Sequence, residues 1–146
     1  MASFARPLDT EDEAALSPLD AAYAARFGLE PVVSAASLSF YARSGHAFVA
    51  VTDGDVRGFV LAHAVWNGAR PVVQVSRLAA AEDDNAAREA LLDALTKSAY
   101  DAAVYDIQVL VPSDDSAVFG ALESKRYTSK AVAVWERVLG SRGQGG

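Results

Sequence analysis

Cysteine is absent from this chain. Its absence excludes disulfides, thiolate-ligated zinc and a cysteine nucleophile. Clustered basic charge is missing too: 13 Lys and Arg face 19 Asp and Glu, for a net charge of −6. That balance argues against nucleic acid or an anionic membrane as the main partner. No apolar run approaches the length of a membrane span. The opening MASFARPLDTEDEAAL shows neither the basic start nor the apolar stretch of a signal peptide. These features are compatible with a cytoplasmic protein, which is the expectation. The only two histidines, His46 and His63, lack metal-ligand spacing to acids, so no metal site is expected. No serine occupies a G-x-S-x-G elbow, which leaves a hydrolase without support. No internal repeat is visible.

What is present is enough apolar material for a core. The chain is 51% hydrophobic over 146 residues, about the size of one domain. Residues 1–140 are expected to form that domain, with residues 141–146 as a flexible, glycine-rich tail.

Phe4–Leu8 reads as a short first strand. Thr10 and Glu13 have the spacing of a capping box. The following helix is expected to break and restart at Ser17-Pro18, with serine as N-cap and proline at the first helical position. Leu19, Ala22, Tyr23 and Phe27 recur at helical spacing up to Gly28. A second helix reads from Ser34 to Ser44, stopped by Gly45. His46–Thr52, Val56–Trp66 and Pro71–Leu78 read as an antiparallel meander. Asp53-Gly54 and Asn67-Gly68 supply its turns. From Ala86 the period is helical, with Leu91, Leu92, Leu95, Ala99 and Ala102 on one face. Asp106–Val111 has the nearly all-apolar pattern of a buried central strand. Pro112-Ser113-Asp114 opens another helix, with Val118, Phe119 and Leu122 inward, and Ala131–Leu139 reads as the last strand. The predicted class is α+β, with a mixed, mostly antiparallel central sheet flanked by helices.

This order resembles the GNAT superfamily of acyl-CoA-dependent N-acyltransferases. Arg6-Pro7 followed by Asp12 is similar to that family's opening strand and first helix. VTDGDVRGFVLAHAV, Val51–Val65, is similar to its central hairpin. VSRLAAAEDDNAAREALLDAL, Val75–Leu95, is similar to its cofactor motif, with Leu91-Leu92 at the helix's leucine pair. IQVLVPSDDSAVFGALESKRY, Ile107–Tyr127, is similar to the fifth strand, the next helix and its closing aromatic. The resemblance spans Arg6 to about Leu139. It implies acetyl-CoA as the cofactor, if any is bound, and a small-molecule or protein amine as acceptor. In that family the pantetheine arm pairs with the fourth strand and the pyrophosphate rests on amides at the next helix, an anion site that helix N-termini offer. The implied cofactor-binding positions are Leu78, Ala80, Asp83, Asp84, Asn85, Ala86, Ala87 and Arg88.

The chain departs from the family pattern at that site. The Arg/Gln, Gly and Gly/Ala positions of the phosphate motif hold Asp83, Ala86 and Arg88. The tyrosine that often serves as general acid is replaced by Leu122, the asparagine opening that helix by Asp115, and the glycine before Tyr127 by Arg126. Pro71–Leu78 carries no carboxylate to act as base, so the catalytic residues are not identified. Glu82, Asp83 and Asp84 stand where the anion would arrive. A helix dipole attracts a phosphate by at most about 1–2 kcal/mol. One unit charge about 6 Å from another costs roughly 0.7 kcal/mol in water. Pyrophosphate carries more than one charge, so weak or no binding of acetyl-CoA is expected.

Simpler readings exist for each singled-out residue. Glu82–Asp84 suit helix capping, with a cation or basic-partner site as the alternative. Arg77 and Arg88 fit either bidentate phosphate contacts or pairing with nearby acids. His63 reads more simply as a packed, hydrogen-bonded residue than as a base. Tyr41 and Trp66 fit aromatic packing better than an acceptor pocket. Trp135-Glu136 reads as a buried or interface residue beside a solvent-facing one. The end of the last strand is a candidate homodimer contact. Two functions remain open: an acetyl-CoA-dependent N-acetyltransferase with altered or lost activity, and a non-catalytic ligand- or protein-binding module on the same fold.

Overall fold

A computed structural model describes residues 2–140 and 142. Five strands form one sheet in the order β1-β2-β3-β4-β5: Phe4–Pro7, Phe48–Thr52, Asp55–Trp66, Pro71–Ala80 and Ile107–Val109. The first four pair antiparallel, and β5 pairs with β4 in parallel. Helices α1 (Glu13–Phe27) and α2 (Ala35–Ser44) cover one face. Helices α3 (Asn85–Asp101) and α4 (Ser116–Ser124) cover the other. The mixed α+β class is therefore as expected.

The period-2 alternation of β3 divides its side chains between two cores. Val60 and Ala62 pack towards α3 and α4, whereas Phe59 and Leu61 pack towards α1 and α2. In β4 the parity changes. Val73 and Val75 join the α3 side, and so do Leu78 and Ala80, which strict alternation would place on the opposite face. The cause is an irregularity where Leu61 faces Arg77 but Ala62 faces Val75, leaving Ser76 as the extra residue of a bulge. Just beyond, β3 and β4 approach so closely that a Cβ on Gly58 would lie 2.9 Å from the Ala79 carbonyl oxygen. Only glycine fits there without parting the strands.

The turn at Asp53-Gly54 forms as the sequence indicates, with positive φ at both residues (52° and 82°). Ser34 caps α2 in a capping box with Ser37, and Gly28 and Gly45 end their helices in the left-handed conformation.

Several expectations are corrected. The first capping box is built by Asp9 and Asp12, not Thr10 and Glu13. Asp12 is also gripped by Arg6 through two hydrogen bonds of 2.8 and 3.0 Å. Helix α1 does not restart at Ser17-Pro18; it runs through Pro18. The Ser17 hydroxyl donates back to the Glu13 carbonyl at 2.8 Å instead of capping a new helix. Pro18 lies on the exposed side, where solvent can serve the carbonyl that its missing N–H leaves free. Ala22 and Ala102 are exposed rather than inward. Asp106–Val111 is not a buried central strand: β5 spans three residues at the edge of the sheet. Residues 131–139 join no ladder. The two corrections are linked, because β5 would be interior only with that last strand beside it. Apolar β-branched residues mark a strand, but they do not say which sheet edge it joins. Of the expected tail, only Arg142 lies within the described residues.

Candidate functional site

Strands β4 and β5 are joined only from Val73–Ile107 to Val75–Val109, followed by a bond from the Leu110 amide to the Val75 carbonyl (3.1 Å). From the Ser76 bulge onward β4 continues without β5 beside it. The opening between them is a cleft of about 210 Å³ lined by Tyr23, Leu29, Ser76, Arg77, Leu78, Leu110, Val111 and Pro112.

Two buried polar ties cross this region. Arg77 donates to Asp20 at 2.8 Å and to the Glu30 carbonyl at 3.0 Å, beneath the Tyr23 ring. The other oxygen of Asp20 accepts the amides of Val32 and Val33 at 2.7 and 2.8 Å, fixing the loop between α1 and α2. Arg77 therefore pairs with an acid, but in the interior rather than on the surface, and it does not turn towards a phosphate. The Tyr23 hydroxyl donates to Asp115 at 2.6 Å, and Asp115 also caps α4 through the Val118 amide. Burial, then the adjoining Asp115 carboxylate, push the Tyr23 phenol well above its ordinary range, and nearby Arg77 and Arg26 offset only part of this. Tyr23 thus keeps its proton, and that proton is already committed to Asp115.

At the mouth of α3, Leu78 and Ala80 are buried in the core and hold the end of β4 against the helix. Asp84 is the N-cap: its carboxylate accepts the Ala87 amide at 3.0 Å and Arg57 Nε at 2.9 Å. Burial raises the Asp84 pKa, but the Arg57 bond, the Ala87 amide and the charges of Arg57 and Arg88 outweigh it and hold the carboxyl below its usual range. Asp83 and Glu82 are exposed and lie 3.8 Å from Arg57 and Arg26 respectively. Asn85 turns along the helix to Glu89 at 2.9 Å, and Ala86 is exposed. Ala87 and Arg88 are buried. Arg88 donates backwards to the carbonyls of Glu82 (3.0 Å) and Ala81 (3.4 Å), so its guanidinium fills the loop before the helix.

The eight implied cofactor-binding positions lie around the start of α3, where side chains of the chain itself occupy part of the space. One of the helix's first free amides is taken by Asp84, and the space a glycine would leave is taken by Arg88. Arg26 pairs with Glu82, and Arg57 with both Asp83 and Asp84.

The remaining candidates have structural roles. His46 Nδ1 lies 2.9 Å from the Ser98 hydroxyl, and burial pushes its pKa down. His63 packs edge-on against Phe40 and Tyr41, as expected, but its buried Nδ1 has no hydrogen-bond partner, contrary to expectation. Tyr41 donates to Ser76 at the bulge (2.8 Å), whereas Trp66 is exposed rather than packed. Leu122 is buried beside Val118 in the core under α4, so no acid replaces the tyrosine there. Asp20 and Arg57 carry no mark in the sequence, and Tyr23 reads there only as part of the apolar spacing of its helix. Arg57 and Asp20 act 27 and 57 residues along the chain from their partners, and no local pattern marks such pairs.

A family model described as protein of unknown function (DUF1999) matches residues 24–145. The chain belongs to the DUF1999 family. Among solved structures, this DUF1999 protein is similar to wild-type TTHA1254 from Thermus thermophilus. The two are 36% identical over 94% of this chain and 98% of the other, with a TM-score of 0.78. A ribosomal-protein-alanine N-acetyltransferase from Brucella melitensis biovar Abortus 2308 is 21% identical over 95% of this chain and all of the other, with a TM-score of 0.70. A predicted acetyltransferase with acetyl-CoA from Clostridium acetobutylicum is 11% identical over 92% of this chain and 96% of the other, with a TM-score of 0.68. The latter two share the fold, and the DUF1999 protein has the GNAT fold. No protein of curated function matches the sequence.

Proposed function

We propose that this protein is a GNAT-fold relative of acetyl-CoA-dependent N-acetyltransferases whose transfer activity is altered or lost. The observation that carries the reading is the mouth of α3, where Asp84 and Arg88 take up the amide and the space that a pyrophosphate would need. The cleft between β4 and β5 remains, and in this reading it is where an acyl-pantetheine arm would lie. An amine acceptor, on a small molecule or a protein, and a cytoplasmic location belong to the same reading. A fold hosts many functions, so the site must carry the argument.

A second reading, a ligand- or protein-binding module without catalysis, is favoured by the cleft's polar groups. Arg77 is engaged by Asp20 and Glu30, and Tyr23 by Asp115. Neither is free to move a proton in a reaction.

Thermal unfolding with acetyl-CoA and, separately, with S-acetylpantetheine tests the proposal. Any ligand of the native state raises the melting temperature, by about 2.7 kcal/mol of stabilisation at a hundredfold excess over Kd. Acetyl-CoA is expected to stabilise no more than the fragment that lacks its phosphates. A clearly larger shift with acetyl-CoA would overturn the closed-mouth reading.

A further inference from the structure

We propose that residues 131–139 complete the sheet of a second copy of this chain, along the free edge of β5, giving a strand-exchanged dimer. Every residue from Thr128 to Leu139 is exposed and outside any ladder. Val132, Val134 and Trp135 are 82, 78 and 93% exposed. Large apolar side chains bared together mark an interaction surface. The run AVAVW has strong strand propensity and no charge. The other half of the contact is β5, which among the described residues pairs with β4 alone. Its outer edge presents unpaired backbone groups, a template for another strand. Tyr105 and Leu110 beside it are also exposed.

One chain therefore carries a strand without a sheet and a sheet edge without a strand. The point of departure is well defined. The Arg126 amide donates to the Glu123 carbonyl and the Tyr127 amide to the Leu122 carbonyl, both at 3.0 Å, and Tyr127 packs on the core. Arg126 sits at a φ of 69°, which turns the chain off α4. Beyond it, the contact from Arg142 to Glu30 is a 3.5 Å ion pair exposed on both sides. Such a pair holds a segment weakly, so among the described residues the strap formed by residues 128–139 has no firm anchor on its own body. A foreign peptide on β5 would leave the strap bare, and a foreign sheet for the strap would leave β5 bare. A second copy satisfies both, and the exchange is self-complementary and closes with two-fold symmetry.

Sedimentation equilibrium of the full chain is expected to give a dimer; a monomer across the micromolar range would overturn the proposal. Ala133→Pro removes a ladder donor from the strap without touching the folded body. It is expected to yield a monomer with unchanged helical circular dichroism, and an unaltered dimer would contradict exchange. The absence of cysteine allows a third arm. Copies carrying Gln108→Cys alone are mixed with copies carrying Ala133→Cys alone, and both changes are also combined in one chain. Disulfide dimers from the mixture support exchange. Monomers closed internally in the doubly substituted chain would show that the strap returns to its own β5 and would overturn it.

Discussion

The cleft between β4 and β5 is flanked by buried side chains that tie different elements together, whereas the mouth of α3 is filled chiefly by side chains that bond within their own loop, with half-exposed Arg57 of β3 and Arg26 of α1 pairing to its acids from outside. In the cleft wall, Asp20 and Arg77 join α1 to β4, and Tyr23 and Asp115 join α1 to the start of α4. At the mouth, Asp84 caps its own helix and Arg88 reaches back to Ala81 and Glu82. Long-range ties make the cleft part of the global fold. The mouth, filled mainly by short-range bonds and more exposed pairs, should yield to substitution at a lower cost than the cleft wall. A ligand site can thus lose one half and keep the other.

Substitutions at the two places separate these roles. Asp20→Ala leaves the buried Arg77 guanidinium uncompensated and is expected to cost about 3–5 kcal/mol, because an unpaired buried charge is expensive. Urea unfolding measures it, and a loss below about 1 kcal/mol would mean that the pair behaves as an exposed one. Leu122→Ala is expected to cost roughly 2–5 kcal/mol through the cavity it opens beside Val118. Unchanged stability would place Leu122 on an open cleft wall instead.

The mouth should respond less. Asp84→Ala removes the cap and the Arg57 bond, for an expected loss of about 0.5–2 kcal/mol in thermal unfolding. The same carboxylate gives a pH dependence. Asp84 and Asp12 are both held below the ordinary carboxylate range, Asp12 chiefly by its hydrogen bonds from Arg6. Their stabilisation is complete above about pH 4 and is lost as pH falls through the lower folded values. In the double variant Asp84→Asn, Asp12→Asn the acid limb of the stability profile should flatten, and an unchanged limb would assign acid unfolding to other groups. The smallest effect is a gain. Arg126 adopts the left-handed conformation that glycine occupies freely, so Arg126→Gly should stabilise by about 0.5–1 kcal/mol. A loss would show that the Arg126 side chain contributes more than its backbone strain costs.

The same contrast explains what the sequence makes legible. Gly28, Gly45 and Asp53-Gly54 announce the left-handed positions that end α1, end α2 and turn the hairpin, and those boundaries follow directly. Helices α3 and α4 end in the same hydrogen-bonding pattern, but with Ala103 and Arg126 at the left-handed positions, so residue type carries no signal. Capping by Asp84 is readable from its place before the helical run. The backward reach of Arg88 and the tie from Arg57 depend on tertiary placement and are not. Residues 131–139 show the limit most clearly: their apolar, β-branched pattern reads as a strand, yet they join no ladder, because strand propensity does not supply a pairing partner.

Calorimetry of acetyl-CoA binding at low and moderate salt, on the wild type and on Glu82→Gln, Asp83→Asn, tests the closed mouth most directly. Both substituted acids have exposed side chains, and the Asp84 cap stays in place. Binding by the wild type is expected to be weak or undetectable. The variant is expected to bind modestly more tightly, a gain limited because Arg26 and Arg57 already offset the acids, and shrinking as salt screens the charges. Tight, salt-insensitive binding by the wild type would contradict the closed mouth, since pyrophosphate would then be reaching the amide that Asp84 takes and the space that Arg88 fills.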